Sequence, residues 1–388
     1  MFLFVLIAAC STPQDLAPIP NFQPTTTSLE PITTTSSAEP TTTTTTTTTE
    51  VLAHFTVLVY DEIARMSFPV QMTARPGATL SYIATKDGHV WVYDGVEVKD
   101  TPALDISARV LDSGERGLLS VALHPTDPSR MFLHYTANND DTVVSEFSFL
   151  DDFTADSESE RVLLRLSQPA ANHNGGMIQF GPGETLYVGL GDGGGSADRF
   201  NNAQNPGTLL GGLVTLQVNG DPDPTLFGRG LRNPWRFWID DDIIYVADVG
   251  QGSFEEVSVT DLVADINYGW PITEGLHCFR PAAGCDTTGL TLPVIEVNHG
   301  DARTCSITGG VVYRGEAIPE IVGTYFYSDF CGGYLRSFRY EEGDIVGETD
   351  WTDQVGIPGR VIGFGVDGEA EMYVGTTDRL LKVVALRR

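Results

Sequence analysis

The chain has 388 residues, of which 41% are hydrophobic and 41 are glycine, so it is long enough for one large domain or two ordinary ones with a sizeable core. Its formal net charge is -29 at pH 7. Proteins bind nucleic acids mainly through basic side chains that neutralise phosphates. This charge therefore excludes nucleic acid as an expected partner and favours solubility and the binding of cations.

The N-terminus is typical of an export signal. Phe2 to Ala9 is apolar, and the small residues Ala8 and Ala9 precede Cys10, as at a bacterial lipoprotein cleavage site. The segment is shorter than the roughly 20 apolar residues of a membrane span and lacks a basic start, so we expect the true translation start upstream. We predict a lipoprotein-type signal at residues 1–10, a lipid anchor on Cys10, and an extracytoplasmic location in the cell envelope or secretion. The alternative is an apolar N-terminus with a stray cysteine.

Residues 11–50 are rich in Thr and Pro and include an unbroken run from Thr41 to Thr49. Such a segment buries too little apolar surface to offset the conformational entropy lost on folding, so we expect a disordered tether. The composition becomes globular from about Val51. We predict one folded domain over residues 51–388.

One pattern recurs in this domain: an apolar strand, a turn with Gly or Asp, and a second strand rich in Tyr, Val and aromatic residues. The copies are Tyr82–Tyr93, Met131–Thr136, Leu186–Asp192, Ile244–Asp248, Tyr325–Asp329 and Met372–Thr376. Their alternation marks strands, and a period of about 55 residues is near the length of four strands with loops. The sequence thus predicts an all-β fold, a six-bladed β-propeller of four-stranded blades, with its site in loops around the central channel.

Two early loops contain residue types suited to chemistry. The turn at residues 114–119 contains Glu115 between glycines. The segment Asn172–Gly176 places His173 between two asparagines, which are able to fix the imidazole tautomer, and its paired glycines keep the site open. In each case the alternative is a purely structural turn.

Later loops add a cation and oxygen ligands. Arg232 offers a planar fork suited to carboxylates and oxyanions, and Pro234 stiffens its turn; the alternative is a surface ion pair. Residues 247–256 and 267–271 carry carboxylates, a glutamine and loop carbonyls, which are hard ligands that calcium prefers. A structural role for these two loops remains equally open.

Four cysteines follow in the folded part: Cys278, Cys285, Cys305 and Cys331. An even number in an exported domain predicts disulfides. Of the three connectivities we favour Cys278–Cys285, which closes a short loop, and Cys305–Cys331, which joins neighbouring strand ends. A zinc site of all four cysteines is the alternative, although no pair has the spacing of two to four residues that zinc usually requires.

Taken in order, these loops resemble the glucose/sorbosone dehydrogenase family. The matching segments, spread over about Val57 to Val384, are GERGLL, NHNGG, GLRNPWR, ADVGQ…EE, NYGWP and CS-TGG. The resemblance implies a six-bladed propeller with pyrroloquinoline quinone (PQQ) and calcium at the channel mouth. It also implies oxidation of an aldose sugar at its anomeric hydroxyl, with hydride transfer to the quinone and an external electron acceptor that the sequence does not identify.

The resemblance also assigns roles to single residues. His173 would be the general base that takes the proton from the sugar hydroxyl, and Arg232 would stabilise negative charge on the quinone oxygen. The further cofactor contacts would be Asn233, Glu115, Thr308 and Arg360. Calcium bound to the cofactor would lie on the backbone carbonyls of Gly250 and Gln251. A second, structural calcium would lie at Glu256 and Tyr268.

Some features depart from the family pattern. PQQ carries three carboxylates, yet Tyr325–Leu335 contains no basic residue, Arg360 is the one basic residue offered near the last blade, and Glu115 stands where a neutral Gln is usual. The CS-TGG form with extra cysteines is similar to the propeller of hedgehog-interacting proteins. A second hypothesis is therefore a non-catalytic cell-surface propeller that binds a glycan or protein ligand. A third, a lactonase-type calcium propeller hydrolase, fits the acidic loops but not the ordered motifs.

Overall fold

The computed structural model describes residues 56–151 and 153–387. The expected signal segment, the tether and Cys10 lie outside these residues. Within them, the helical elements are α1 (Thr352–Val355) and two 3-10 turns, Pro182–Glu184 and Pro319–Ile321. No helix in the described ranges is both long and apolar enough to cross a membrane. The predicted all-β fold class is confirmed.

The described residues up to Arg229 contain thirteen strands. Strands β1 to β5 are Thr56–Arg65, Pro69–Ala74, Ser81–Thr85, His89–Tyr93 and Leu104–Asp105. Strands β6 to β9 are Leu118–Leu123, Arg130–Thr136, Thr142–Phe149 and Ala155–Leu166. Strands β10 to β13 are Ile178–Phe180, Thr185–Leu190, Gly212–Gln217 and Thr225–Arg229.

The described residues from Pro234 onward contain fourteen more. Strands β14 to β20 are Pro234–Asp240, Ile243–Asp248, Phe254–Asp261, Ile266–Asn267, Thr273–Glu274, His277–Cys278 and Ile295–Asn298. Strands β21 to β24 are Ile307–Val312, Tyr325–Asp329, Arg336–Glu341 and Asp344–Asp350. Strands β25 to β27 are Val361–Val366, Met372–Thr376 and Arg379–Arg387.

The strands form antiparallel meanders in which most strands pair with their neighbours in sequence. Separate sheets have the orders β6-β7-β8-β9, β10-β11-β12-β13-β17, β14-β15-β16-β20 and β21-β22-β23-β24, and β18 pairs with β19. An eight-stranded sheet has the order β1-β27-β26-β25-β2-β3-β4-β5. The first strand of this sheet in sequence, β1, is thus paired with the last, from Thr56 opposite Arg387 to Arg65 opposite Arg379.

The six recurring segments lie on β3–β4, β7, β11, β15, β22 and β26. These strands are interior members of their sheets and are buried almost throughout, as in β22, where all five residues are buried. The core lies between neighbouring sheets: Phe132 and Val144 of one sheet pack with Leu186, Val188 and Val214 of the next. Aromatic and β-branched residues suit such strands because both faces contact other side chains.

The meander order determines where the predicted site loops lie. In an antiparallel meander, the start of the first strand and the end of the second are at the same edge of the sheet. The loops before β6, β10, β14 and β21 contain Glu115, His173, Arg232 and Cys305 in turn. These starting strands also lie close together in space, because the Arg236 side chain of β14 donates to the carbonyls of Val70 in β2 and Leu119 in β6.

Candidate functional site

A cavity of about 530 Å³ lies where these loops meet. This volume is within the range of roughly 300–1,000 Å³ that is typical of small-molecule sites. Of the residues proposed from the sequence, the cavity wall brings together Glu115, His173, Arg232, Asn233, Gly250, Gln251 and Thr308. These positions are up to 193 residues apart in the chain (308 minus 115), so the fold gathers the set.

His173 is fixed by both its backbone and its ring. Its φ of 58° lies in the left-handed region, and its backbone N–H donates to Glu115 Oε2 at 2.7 Å. The ring Nδ1 lies 2.7 Å from Asp192 Oδ1, and both side chains are buried. Because the carboxylate accepts a hydrogen bond from Nδ1–H, the neutral imidazole carries its lone pair on Nε2, the nitrogen that is free to accept a proton.

Asp192 is the partner that sequence reasoning missed. Its Oδ1 also accepts the N–H of Gly194 at 2.9 Å, and its Oδ2 accepts the indole N–H of Trp270 at 2.9 Å. The expectation that the flanking asparagines fix the imidazole tautomer is wrong, because Asp192 binds the ring Nδ1. Asn172 Oδ1 accepts the N–H of Gly195, and the buried amide of Asn174 has no described partner. The available signal was the aspartate inside the glycine-rich segment 189–195, where Gly191 carries no Cβ that would overlap the carbonyl oxygen of His173.

Arg232 and Asn233 are held by one buried carboxylate. The backbone N–H groups of Arg232 and Asn233 donate to Asp248 Oδ2 and Oδ1 at 2.8 and 2.6 Å. Burial raises the pKa of Asp248, and these two hydrogen bonds oppose that shift. The Arg232 Nη1 group donates to the carbonyl of Val249 at 2.8 Å, while its buried Nε has no partner among the described residues. Arg232, a wall residue, thus has a buried donor that no described group uses.

Asn233 connects three of the loops. Its Oδ1 accepts the N–H of Gly175 at 2.9 Å, and its Nδ2 donates to Glu115 Oε2 at 3.1 Å. The same carboxylate oxygen of Glu115 accepts the N–H of His173. Glu115 therefore stabilises the arrangement of the loops, and at least one of its oxygens is occupied by protein donors.

The candidate calcium ligands fall into two groups. Gly250 and Gln251 line the cavity, and no hydrogen bond among the described residues uses their backbone carbonyls. Glu256 and Tyr268 are buried outside the cavity wall, and no described hydrogen bond joins them. Burial and the charge of Asp248 raise the pKa of Glu256, whose Oε2 accepts the N–H of Gly275 at 2.9 Å. The contacts among described residues bring the first pair of candidates together at the cavity, but not the second.

The remaining predicted cofactor contacts differ in position. Thr308 lines the cavity and has a buried hydroxyl without a described partner. Arg360 is exposed and is not part of the wall. Its guanidinium lies 5.1 Å from the ring centroid of Phe330, which is a wall residue. Arg360 therefore contacts a wall residue without lining the cavity itself.

Three further wall residues had no functional signal in the sequence: Lys86, Trp235 and His299. Lys86 lies in the turn after β3, and Trp235 is in the second position of β14. The Nε2 of His299 lies 2.6 Å from Glu255 Oε1, and this hydrogen bond raises the pKa of His299. Each reaches the wall through tertiary packing that no local pattern indicates.

The two favoured disulfides are confirmed. Cys278 pairs with Cys285 and Cys305 with Cys331, with Cα–Cα distances of 5.5 and 5.6 Å. The zinc alternative is wrong, because all four sulfurs are used in these bonds. Cys305 lines the cavity, so the second bond ties the loop before β21 to the end of β22 at the site itself.

Comparison with known proteins adds relatives in two groups. The chain is 30% identical over 320 residues to the HIPL1 protein of Arabidopsis thaliana, covering 67% of this chain and 45% of that protein. It is 23% identical over 343 residues to the human Hedgehog-interacting protein, covering 77% of this chain and 47% of that one. The chain thus spans about half the length of these curated relatives.

Solved structures of sugar dehydrogenases share the fold. The PQQ-bound aldose sugar dehydrogenase of Streptomyces coelicolor matches with a TM-score of 0.68 at 20% identity, covering 86% of this chain and 99% of that one. The apo form of the soluble aldose sugar dehydrogenase of Escherichia coli matches with a TM-score of 0.69 at 19% identity, covering 84% and 99%. At these identities the likeness shows a common propeller-like fold alone.

The family itself is shown by the sequence. The model of the family described as Glucose / Sorbosone dehydrogenase matches residues 66–382, which include every candidate cavity residue. The motifs that carried the resemblance lie within this range. The chain therefore belongs to the glucose/sorbosone dehydrogenase family.

Proposed function

We propose that this protein is a PQQ- and calcium-dependent aldose dehydrogenase that oxidises a sugar at its anomeric hydroxyl. The observation that carries the proposal is the buried His173–Asp192 pair, whose free imidazole nitrogen belongs to a cavity that also contains Arg232 and Asn233. A binding protein has no need of a buried carboxylate that fixes one tautomer of a cavity histidine, whereas a general base does.

His173 would accept the sugar's hydroxyl proton at Nε2. The resulting imidazolium would be stabilised by Asp192, which lies 2.7 Å from Nδ1. Arg232, with its unused Nε donor, would stabilise negative charge that develops on an oxygen in the cavity. PQQ, when bound, supplies the quinone that accepts the hydride.

The cavity fits such a cofactor in shape and chemistry. Its wall combines flat or apolar side chains with a few polar groups, the pattern of cofactor sites. Trp235, Phe330 and Phe68 supply aromatic surface, and Arg232 and Thr308 supply buried donors without described partners. The unused carbonyls of Gly250 and Gln251 are suited to holding calcium, which supplies Lewis acidity when bound.

We also propose the finer architecture on which this site depends. At the parallel pair Met72–Gly365, the eight-stranded sheet divides into two sets of four, β25–β27 with β1 and β2–β5. With the other sheets this division supports six blades and a ring closed by β1. The domain boundaries at residues 1–10, 11–50 and 51–388 and the lipid anchor remain part of the proposal. Two disulfides support an extracytoplasmic location, because such bonds persist in oxidising compartments.

A non-catalytic propeller that binds a glycan or protein ligand is the second candidate. The observation that favours it is the scarcity of cations, because the described cavity wall contains one lysine, Lys86, and one arginine, Arg232. Relatives named for an interaction with Hedgehog point in the same direction.

Calorimetric titration of PQQ into the full chain, with calcium present and then chelated, distinguishes the dehydrogenase from the ligand-binding propeller. The proposal expects calcium-dependent binding, dye reduction when aldoses are added, and loss of dye reduction in His173→Ala with PQQ still bound. Absence of PQQ binding well above micromolar concentration would favour the ligand-binding propeller. Unchanged turnover in His173→Ala would remove the assigned base.

A further inference from the structure

Lys86 is a basic residue of the cavity wall that comes from the first half of the chain, whereas the segment without basic residues, Tyr325–Leu335, comes from the second half. It lies in the turn after β3 and lines the same wall as Glu115, His173 and Arg232. Its side chain is 12% exposed, so most of it is buried against its neighbours. The Nζ atom lies 5.6 Å from the ring centroid of Phe68, another wall residue.

The position of Lys86 is built into the fold. Its N–H donates to the carbonyl of Phe68 at 3.1 Å, and its own carbonyl accepts the N–H of Leu118 at 2.9 Å. A Cβ at Gly117 would lie 2.5 Å from Lys86 Cγ, so glycine at this place leaves room for the lysine stem. The backbone is thus fixed by the residue before β2 and by the first residue of β6, and the side chain passes over a glycine into the wall.

The ammonium group of Lys86 has hydrogen-bond donors without a described partner. An ammonium carries three N–H donors, and one described hydrogen bond of Lys86 Nζ uses one of them, to Asp112 Oδ1. Asp112 is 43% exposed and is not part of the wall, so it binds Lys86 from the solvent side. Arg232, the other strong cation of the wall, already donates to the carbonyl of Val249. Lys86 therefore keeps two N–H donors without a described partner, and it adds a second cation to the wall that contains Arg232.

We infer that Lys86 recognises a carboxylate of the molecule bound in this cavity, in place of the basic residues that Tyr325–Leu335 lacks. The inference rests on the proposed function. Two sources share this chemistry: a carboxylate of the quinone cofactor, and the carboxylate of a sugar acid such as a uronate. Both would take a charge-assisted hydrogen bond from Nζ.

The test compares Lys86→Met and Lys86→Gln with the wild-type full chain. PQQ is titrated with calcium present, and steady-state kinetics are measured with glucose and with glucuronate. Loss of one charge-assisted hydrogen bond is expected to weaken PQQ binding by about 10- to 100-fold if the cofactor supplies the carboxylate. If the substrate supplies it, PQQ binding stays unchanged, and KM for glucuronate rises by a similar factor while KM for glucose does not.

Two controls separate recognition from structure. Lys99→Met removes a lysine that pairs with Asp94 outside the cavity and should alter neither measurement. Asp112→Asn breaks the ion pair but keeps the ammonium, so it should bind the ligand at least as tightly as the wild type. A loss of binding in Asp112→Asn equal to that in Lys86→Met would show that Lys86 acts only through Asp112 and would overturn the inference. So would unchanged PQQ binding together with unchanged KM values. Failure of the wild type to bind PQQ would instead overturn the proposed function itself.

Discussion

Replacing Asp192 by asparagine changes one oxygen to an amide nitrogen in a side chain that accepts three hydrogen bonds. The carboxylate accepts from His173 Nδ1 and Gly194 N on Oδ1 and from Trp270 Nε1 on Oδ2, at 2.7 to 2.9 Å. An asparagine has one acceptor oxygen, so its amide group must face at least one of these donors. The side chain at position 192 is fully buried, so water cannot compensate.

Each orientation of the asparagine has a definite consequence. With the amide nitrogen toward Trp270, the His173 contact survives, but two donors face each other and the imidazolium loses its buried counter-charge. With the nitrogen toward His173, Nδ1 must become the acceptor and Nε2 carries the proton, so the base is in the wrong tautomer. Loss of a positioned base costs about 10²–10⁴-fold in rate, so we expect kcat to fall by at least about 100-fold. The unmet donor should lower the free energy of unfolding by about 1–3 kcal/mol.

The assay is dye reduction by aldoses in the presence of PQQ and calcium, combined with PQQ titration and thermal unfolding. Binding of PQQ should persist, because Asp192 does not line the cavity. Asp367→Asn is the matched control, because Asp367 also accepts from a ring side chain, Tyr373, at 3.0 Å, but lies away from the cavity. A folded Asp192→Asn variant with kcat within about threefold of the wild type would refute the role given to the pair.

Three other outcomes follow from the structure. Gly191→Ala places a Cβ against the carbonyl oxygen of His173, so we expect lowered thermal stability and loss of dye reduction together. Replacing Cys305 and Cys331 by serine opens a loop of 26 residues and should lower the free energy of unfolding by about 3.5 kcal/mol on the chain-entropy estimate, measured by denaturant unfolding against the disulfide-bonded wild type. Burial lowers the pKa of His134 to about 3, with the charge of Arg236 adding to the shift. Below about pH 6.5 the unfolded chain therefore binds a proton at His134 that the folded chain does not bind. The free energy of unfolding consequently falls as the pH drops from about 6.5 towards 3. Between pH 7 and pH 5, His134→Leu should remove about 2 kcal/mol of this loss.

Local patterns were enough to predict the strands and the site loops. The recurring segments lie on strands because β-branched and aromatic alternation is a property of neighbouring residues. The motif loops meet because each precedes the first strand of a meander or follows the second. His173 and Arg232 were singled out by residue type and Asn233 by the family resemblance, and the structure places all three in one cavity wall.

The partners of these residues could not be predicted in the same way. Asp192 contacts His173 across 19 residues, and the contact depends on Gly191 allowing two backbone segments to lie side by side. Lys86 lies in a turn whose sequence is typical of a β-hairpin and gives no sign of a binding site. Its place in the wall is decided by packing against Phe68 and Gly117, which come from two other loops. Such contacts between distant segments exist only after folding, so composition and spacing do not indicate them.

The net charge of -29 is the apparent obstacle to binding an anionic cofactor, and the structure shows why local charge matters more. Exposed carboxylates farther than a Debye length of about 8 Å are largely screened at physiological salt, whereas buried charges are not. Arg236 is fully buried beside the wall residue Trp235, its hydrogen bonds go to backbone carbonyls, and no ion pair in the described part of the chain neutralises it. Burial lowers its pKa to about 9, which leaves it protonated at pH 7. An anion in the cavity would meet Lys86 and Arg232 in the wall, with Glu115 as the opposing carboxylate there and Arg236 buried next to Trp235, so a strongly acidic surface does not by itself prevent such an anion from binding.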